Sequence, residues 1–296
     1  MSSPDPLPVS LDALSINNPS FPVNPLFWTQ RHLLFVNCVF QELYDQHRNV
    51  MPREDHDEHL TACAEELATD PSAVLKRTWV EDLLTRPGGQ LSHDNHQIGF
   101  FYDKRRVLKI WCDVFRPAEN TNLRDSLIGY HRYDVDQQSR NRRAVRPPPD
   151  DRRNDPVKRF FEREFQSLTP EDWRNDPFIV CILISLAQRL VRDKKQANVY
   201  LTRLLVTHMS DQTNAQIFKA DVPRQVLECF DQPARAMDDV VFPTIQYTAV
   251  PFQPYSTFSE RIELHLLSTG DAGPVTLALR SQKRETEEAD EPESEM

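Results

Sequence analysis

The sequence predicts an α+β protein, with a mostly helical N-terminal part followed by a small α/β C-terminal domain. Three observations carry that prediction. DPFIVCILISLAQRL (176–190) has no charge from Phe178 to Ala187 and only Ser185 as a polar side chain, so it reads as a helix buried on most sides. Upstream, residues 25–47 and 70–83 place apolar side chains near helical spacing. Downstream, NVYLTRLLVTHMS (198–210) and AQIFKADV (215–222) flank SDQTN (210–214), a strand, a turn and a strand.

Taken in order, PLFWTQRHLLFVNCVFQELYDQH (25–47) is expected to be the first helix, with Phe27, Leu34, Cys38 and Leu43 on one side. REDHDEHLTACAEELATD is a polar helix. Asp70 and Pro71 supply a cap and a first position for the next, whose inner face carries Val74, Leu75, Trp79 and Leu83. IGFFYDKRRVLKIWCDVF (98–115) fits a hairpin turning at Asp103–Arg105, or a strand to Tyr102 followed by a helix; the second is the reading adopted. KRFFEREF (158–165) is a short helix and TPEDW (169–173) a helix start. Asp176 and Pro177 then open the apolar helix as cap and first residue. After the strand pair, PRQVLECF is a helix with Val226, Leu227 and Phe230 inward. VVFPTIQYTAV (240–250) is a strand whose Pro243 demotes it to an edge or bulge, and Phe258, Ile262 and Leu266 mark a last helix at 257–268.

Composition sets the domain boundaries. Residues 1–25 are proline-rich, 134–157 crowd arginines around Pro147–Pro149, and the chain ends ETEEADEPESEM. None of these segments can bury enough apolar surface to offset chain entropy. The expected organisation is therefore a disordered tail (1–25), a mostly helical region (26–133), a flexible linker (134–157), an α/β domain (158–268) and an acidic disordered tail (269–296). The six glycines form no G-x-G-x-x-G, Walker or G-x-S-x-G motif. A net charge of −10 speaks against nucleic acid as a partner, because duplex affinity rests on neutralising phosphates. Five scattered cysteines without a C-x-x-C point to a reducing compartment, and no basic, apolar leader or membrane-length run is seen.

Four constellations compete with blander readings. His56 and His59, beside Asp55, Asp57, Glu58 and Cys63, have helical metal-ligand spacing, against a solvated polar face. His93 and His96 repeat the spacing in LSHDNH, against a polar loop. Cys229 and His208 offer a thiol and a base, against a core cysteine. Trp28, Trp79, Trp111 and Trp173 read as core and interface anchors rather than a base-stacking platform.

Residues 170–268, from the apolar helix through VYLTRLLVTHMSDQTNAQIFKADVPRQVLECFDQP to FPTIQYTAVPFQPYSTFSERI, resemble an uncharacterised family of filamentous-fungal proteins. The resemblance implies an accessory or regulatory setting, such as secondary-metabolite biosynthesis, and no catalytic residue. The order helix, strand, turn, strand, helix at 177–230 is also similar to part of the PD-(D/E)XK nuclease core. That chemistry needs carboxylates around Mg²⁺ and a lysine two residues after one acid. Lys219 follows Ile217 instead; Asp211 sits in the turn, and Asp193-Lys194-Lys195 at a helix end.

The expectation is thus a non-catalytic protein-binding or accessory factor, cytoplasmic or nuclear, with an unknown protein partner, no membrane, no cofactor and no catalytic or metal residue assigned. The alternative is an enzyme, either a divergent PD-(D/E)XK-like nuclease or a small-molecule biosynthetic enzyme.

Overall fold

Strands β1 (Phe40–Leu43), β2 (Leu91–Tyr102), β3 (Arg105–Pro117), β4 (Leu127–Tyr133), β5 (Val199–His208), β6 (Asn214–Pro223) and β7 (Ile245–Pro251) form one mixed sheet in the order β1-β7-β6-β5-β4-β3-β2. β1 lies parallel to β7 and β4 to β5, and the other pairings are antiparallel. The computed structural model describes residues 10–17, 24–44, 57–86, 88–119, 121, 123, 125–146, 155–237 and 240–268.

The mostly helical N-terminal part is overturned, because that region supplies four of the seven strands. Where a helix was expected over 25–47, a 3-10 turn (Pro25–Phe27), a short helix α2 (Gln30–Phe35) and β1 follow one another. Asn37 takes φ 50 between α2 and β1, a left-handed break that ends the helix. Residues 98–115 are the hairpin β2–β3, not a strand and a helix. Asp103 and Lys104, at φ 49 and 60, make the two-residue turn with both central φ positive that matches strand twist. β4 was not foreseen in the sequence.

Helices cover both faces of the sheet. Helix α7 (Pro177–Arg192) is the apolar stretch of the sequence, capped by the Asp176 side chain on the Phe178 N–H. Ile182 and Leu186 are fully buried there, with Leu127, Leu204, Val206 and Phe218 from the sheet and Val226 and Phe230 of helix α8 (Arg224–Asp231) in the same cluster. On the other face, helices α3 (Glu58–Thr69), α4 (Ala73–Leu84) and α9 (Phe258–Leu267) bury Leu67, Val80, Leu83, Ile262 and Leu266 over Phe115, Tyr130, Leu205 and Ile217. With both faces covered, the middle strands bury side chains on both sides. β7 is one of these, lying between β1 and β6; Pro243 precedes its first residue, so no ladder bond is lost and the strand is not an edge.

Before these come helix α1 (Leu11–Asn17) and, after β4, helices α5 (Val135–Val145) and α6 (Asp155–Ser167). Within the segment expected to be a linker, Asp134 caps α5, and the Arg142 guanidinium is buried and donates to the Leu26 carbonyl at 2.8 Å. Arg143 and Arg146 pair with Glu162 and Glu164 of α6. The three prolines of that segment, and the terminal stretches 1–9 and 269–296, lie outside the described residues.

Candidate functional site

Two side-chain clusters and one cleft bring chemistry together. The first cluster sits where β2 is irregular. In a regular strand His93 and His96 would face opposite sides, because successive side chains alternate. Pairing with β3 shifts between His93 and Asn95 and again between Asn95 and Gln97, and such irregularities re-aim side chains. Both imidazoles thereby share a face, with ring centroids 4.3 Å apart. Asp113 of β3 joins them, its Oδ1 2.6 Å from His96 Nδ1. The space is already claimed by Arg77 of α4. Its guanidinium forks onto Asp113, with Nε 2.9 Å from Oδ2 and Nη2 2.8 Å from Oδ1, and Nη2 is 2.7 Å from His96 Nδ1. Contact with Asp113 raises the already high pKa of Arg77. A permanent cation thus stands against two of the three side chains, and the arrangement helps to hold α4 on the sheet.

The second cluster joins α3 and α4. His59 and Cys63 lie one turn apart on α3, and Asp82 of α4 faces them. Cys63 Sγ is 3.5 Å from His59 Nε2 and 3.9 Å from Asp82 Oδ2, and His59 Nε2 is 3.4 Å from Asp82 Oδ2. Asp57 caps α3 by accepting from the His59 N–H at 2.9 Å. Asp55 and His56 fall outside the described residues.

The cleft, of about 270 Å³, runs along the outer edge of β2 and is lined by Gln97, Gly99, Phe101, Arg106, Lys109, Arg189 and Arg192 with Asn95 and Ile98. β2 ends the sheet, so alternate backbone amides point away from β3. Gly99 keeps the strand surface low here; a Cβ would stand 2.9 Å from the Phe101 ring and 3.0 Å from the Arg106 side chain. Arg189 is paired with Asp193 and Asp94, and Arg192 stacks on Phe101 at 3.9 Å. Among the described residues no carboxylate lies within 4.0 Å of Arg106 or Lys109.

Other sequence candidates do not assemble. Ile217 is buried in the core and Lys219 donates to Ser268 Oγ at 2.5 Å, with burial and then Arg203 lowering its pKa to about 8. Asp211 closes its own turn, accepting from the Thr213 and Asn214 N–H groups. Asp193 pairs with Arg116 and Arg189. No carboxylate stands two residues before Lys219. His208, at the C-terminal end of β5, stacks on Tyr133 and Trp173. α8, which carries Cys229, starts beside the opposite end of that strand, where the Arg224 N–H meets the Asn198 carbonyl. Cys229 packs in the core, and burial raises its thiol pKa. Trp28 is buried against Phe100 and Phe230, whereas Trp111 is 63% exposed under Lys109.

Asp82, Asp113, Arg77 and the cleft cations were missed in the sequence. Their signals are only long-range, since nothing local ties Asp82 to Cys63 or Asp113 to His96. No described helix is long and apolar enough to cross a membrane. No family model matches the chain, and no curated protein matches it either.

Proposed function

We propose that the chain is a non-catalytic protein-binding factor that adds an extended, acidic peptide segment to the outer edge of β2. The observation that supports this most is the cleft itself, where an edge strand borders four cationic side chains and a glycine. Strand addition draws affinity from main-chain hydrogen bonds and selectivity from side chains along the groove. Phe101 marks the outward phase of the strand, since its N–H and carbonyl bond to Gln188 rather than to β3. Gly99 and Gln97, two and four residues earlier, share that phase and lie open to the cleft. Arg106 and Lys109 then favour carboxylates on the incoming strand and speed encounter.

A reducing cytoplasmic or nuclear setting fits five buried cysteines that form no disulfide. An accessory role, such as one in secondary metabolism, is proposed on the same footing as the resemblance read in residues 170–268. The nuclease alternative loses support at Lys219, which has a serine partner and no acid two residues before it.

The test is fluorescence anisotropy with labelled extended peptides of matched length, acidic, neutral and basic. Acidic peptides should bind, more weakly as salt rises, and Arg106→Glu with Lys109→Glu should lower affinity by roughly 10-fold or more. Equal binding of all three peptides, or binding unchanged in the double variant, overturns the proposal.

A further inference from the structure

The α3–α4 cluster carries a separate inference. Zinc holds thiolate sulfur at about 2.3 Å and imidazole nitrogen or carboxylate oxygen at about 2.0–2.2 Å, so tetrahedral angles put neighbouring ligand atoms about 3.3–3.6 Å apart. Here the sulfur–nitrogen and nitrogen–oxygen separations are 3.5 and 3.4 Å, and the sulfur–oxygen separation, 3.9 Å, is a few tenths longer. We propose that His59, Cys63 and Asp82 bind one zinc ion, with the fourth position open to solvent.

Three features support the assignment. The donor set of one sulfur, one imidazole and one carboxylate suits zinc and excludes the all-oxygen preference of Mg²⁺ and Ca²⁺. The ligands stand on rigid elements: Cys63 is buried in the same cluster as Ala64, Leu67, Val80 and Leu83, and Asp57 anchors the start of α3. The outer side is open for entry, because the His59 and Asp82 side chains are 63% and 38% exposed. The β2 cluster suits a cation less well, because the Arg77 guanidinium already bonds to both His96 and Asp113.

Binding exchanges a proton for the metal. Zinc forms the Zn–S bond as the S–H bond breaks, and one proton goes to solvent per ion bound.

The test uses the full chain and Co²⁺ as a spectroscopic probe, followed by Zn²⁺ displacement. The expected result is a near-ultraviolet thiolate-to-cobalt band that saturates at one equivalent and is removed by zinc. Cys63→Ser should abolish the band. Asp82→Asn, which keeps the side-chain shape at a partly exposed position, should weaken zinc binding by about 10–100-fold, and His96→Ala should leave both readouts unchanged. Saturation without a sulfur band overturns the site. So does a band that survives Cys63→Ser, or an affinity lowered by His96→Ala and not by Asp82→Asn.

Discussion

Gln188 of α7 hydrogen-bonds to both backbone groups of Phe101 on β2. The Phe101 N–H donates to Gln188 Oε1 at 2.9 Å, and Gln188 Nε2 donates to the Phe101 carbonyl at 2.8 Å. One side chain thus stands in for a neighbouring strand at the edge of the sheet, where unpaired backbone invites foreign pairing. It also marks the end of the open cleft. Gln188→Ala should cost about 2 kcal/mol, from two net hydrogen bonds in a nearly buried site. Urea unfolding would check this, with native-state hydrogen exchange showing faster exchange at Phe101. An unchanged midpoint would mean that water replaces the amide at no cost.

Gly129 of β4 lies beneath α7, and a Cβ there would meet Cys112 Sγ at 2.8 Å, Leu204 Cδ1 at 2.9 Å and Leu186 Cδ1 at 3.1 Å. Gly129→Ala should therefore destabilise by about 1–3 kcal/mol through overpacking. Leu186→Ala alone should cost about 2–5 kcal/mol, because Leu186 is fully buried and leaves a cavity. Combined, the two should cost less than their sum, since the new methyl enters part of the vacated space. A double-mutant cycle by denaturant unfolding measures that coupling, and strict additivity would refute the shared contact.

Asp176 caps α7 and is fully buried, accepting from the Phe178 N–H at 2.8 Å and from Tyr133 Oη at 2.6 Å, with Arg142 Nη2 at 4.0 Å. Burial raises the Asp176 carboxyl pKa and lowers that of Arg142, each opposed by the other's charge. Asp176→Ala removes a cap and leaves Arg142 buried without its counter-charge, so a loss of about 3–5 kcal/mol is expected. Asp176→Ala with Arg142→Met should recover part of that loss in thermal unfolding. No recovery would assign the whole effect to the cap.

His131 Nδ1 donates to the Trp111 carbonyl at 3.1 Å, while Nε2 is buried with no partner among the described residues. Burial lowers its pKa from 6.5 to about 4. The folded state thus resists a proton that the unfolded chain accepts, so stability contributed by neutral His131 is intact above pH 6.5 and is lost as pH falls towards about 4. The slope in that window should reach about 1.4 kcal/mol per pH unit for one proton. Stability measured from pH 7.5 to 4 should fall less steeply in His131→Asn than in the parent. Parallel curves would place the acid sensitivity elsewhere.

The C-terminal half was the more legible in the sequence. The uncharged run at 178–187 dictated a buried helix, Asp176 and Pro177 its start, and the turn at 210–214 the β5–β6 hairpin, because each signal lies within a few residues. His59 and Cys63 were legible as neighbours for the same reason, in a constellation read around His56 and His59. Tertiary structure decided the rest. The N-terminal segment became sheet because the β2–β3 hairpin extends through β4 to β5 while β1 pairs with β7, and the β4–β5 and β1–β7 pairings span separations that no local pattern encodes. Residues 135–145 became helix where composition suggested a linker, and the buried Arg142 there finds the Leu26 carbonyl and Asp176. The third ligand, Asp82, and the arginine that meets His96 and Asp113 came from α4, which docks by apolar burial of Val80 and Leu83 as well as through Arg77. Local sequence specifies which groups are offered; long-range packing decides which of them meet.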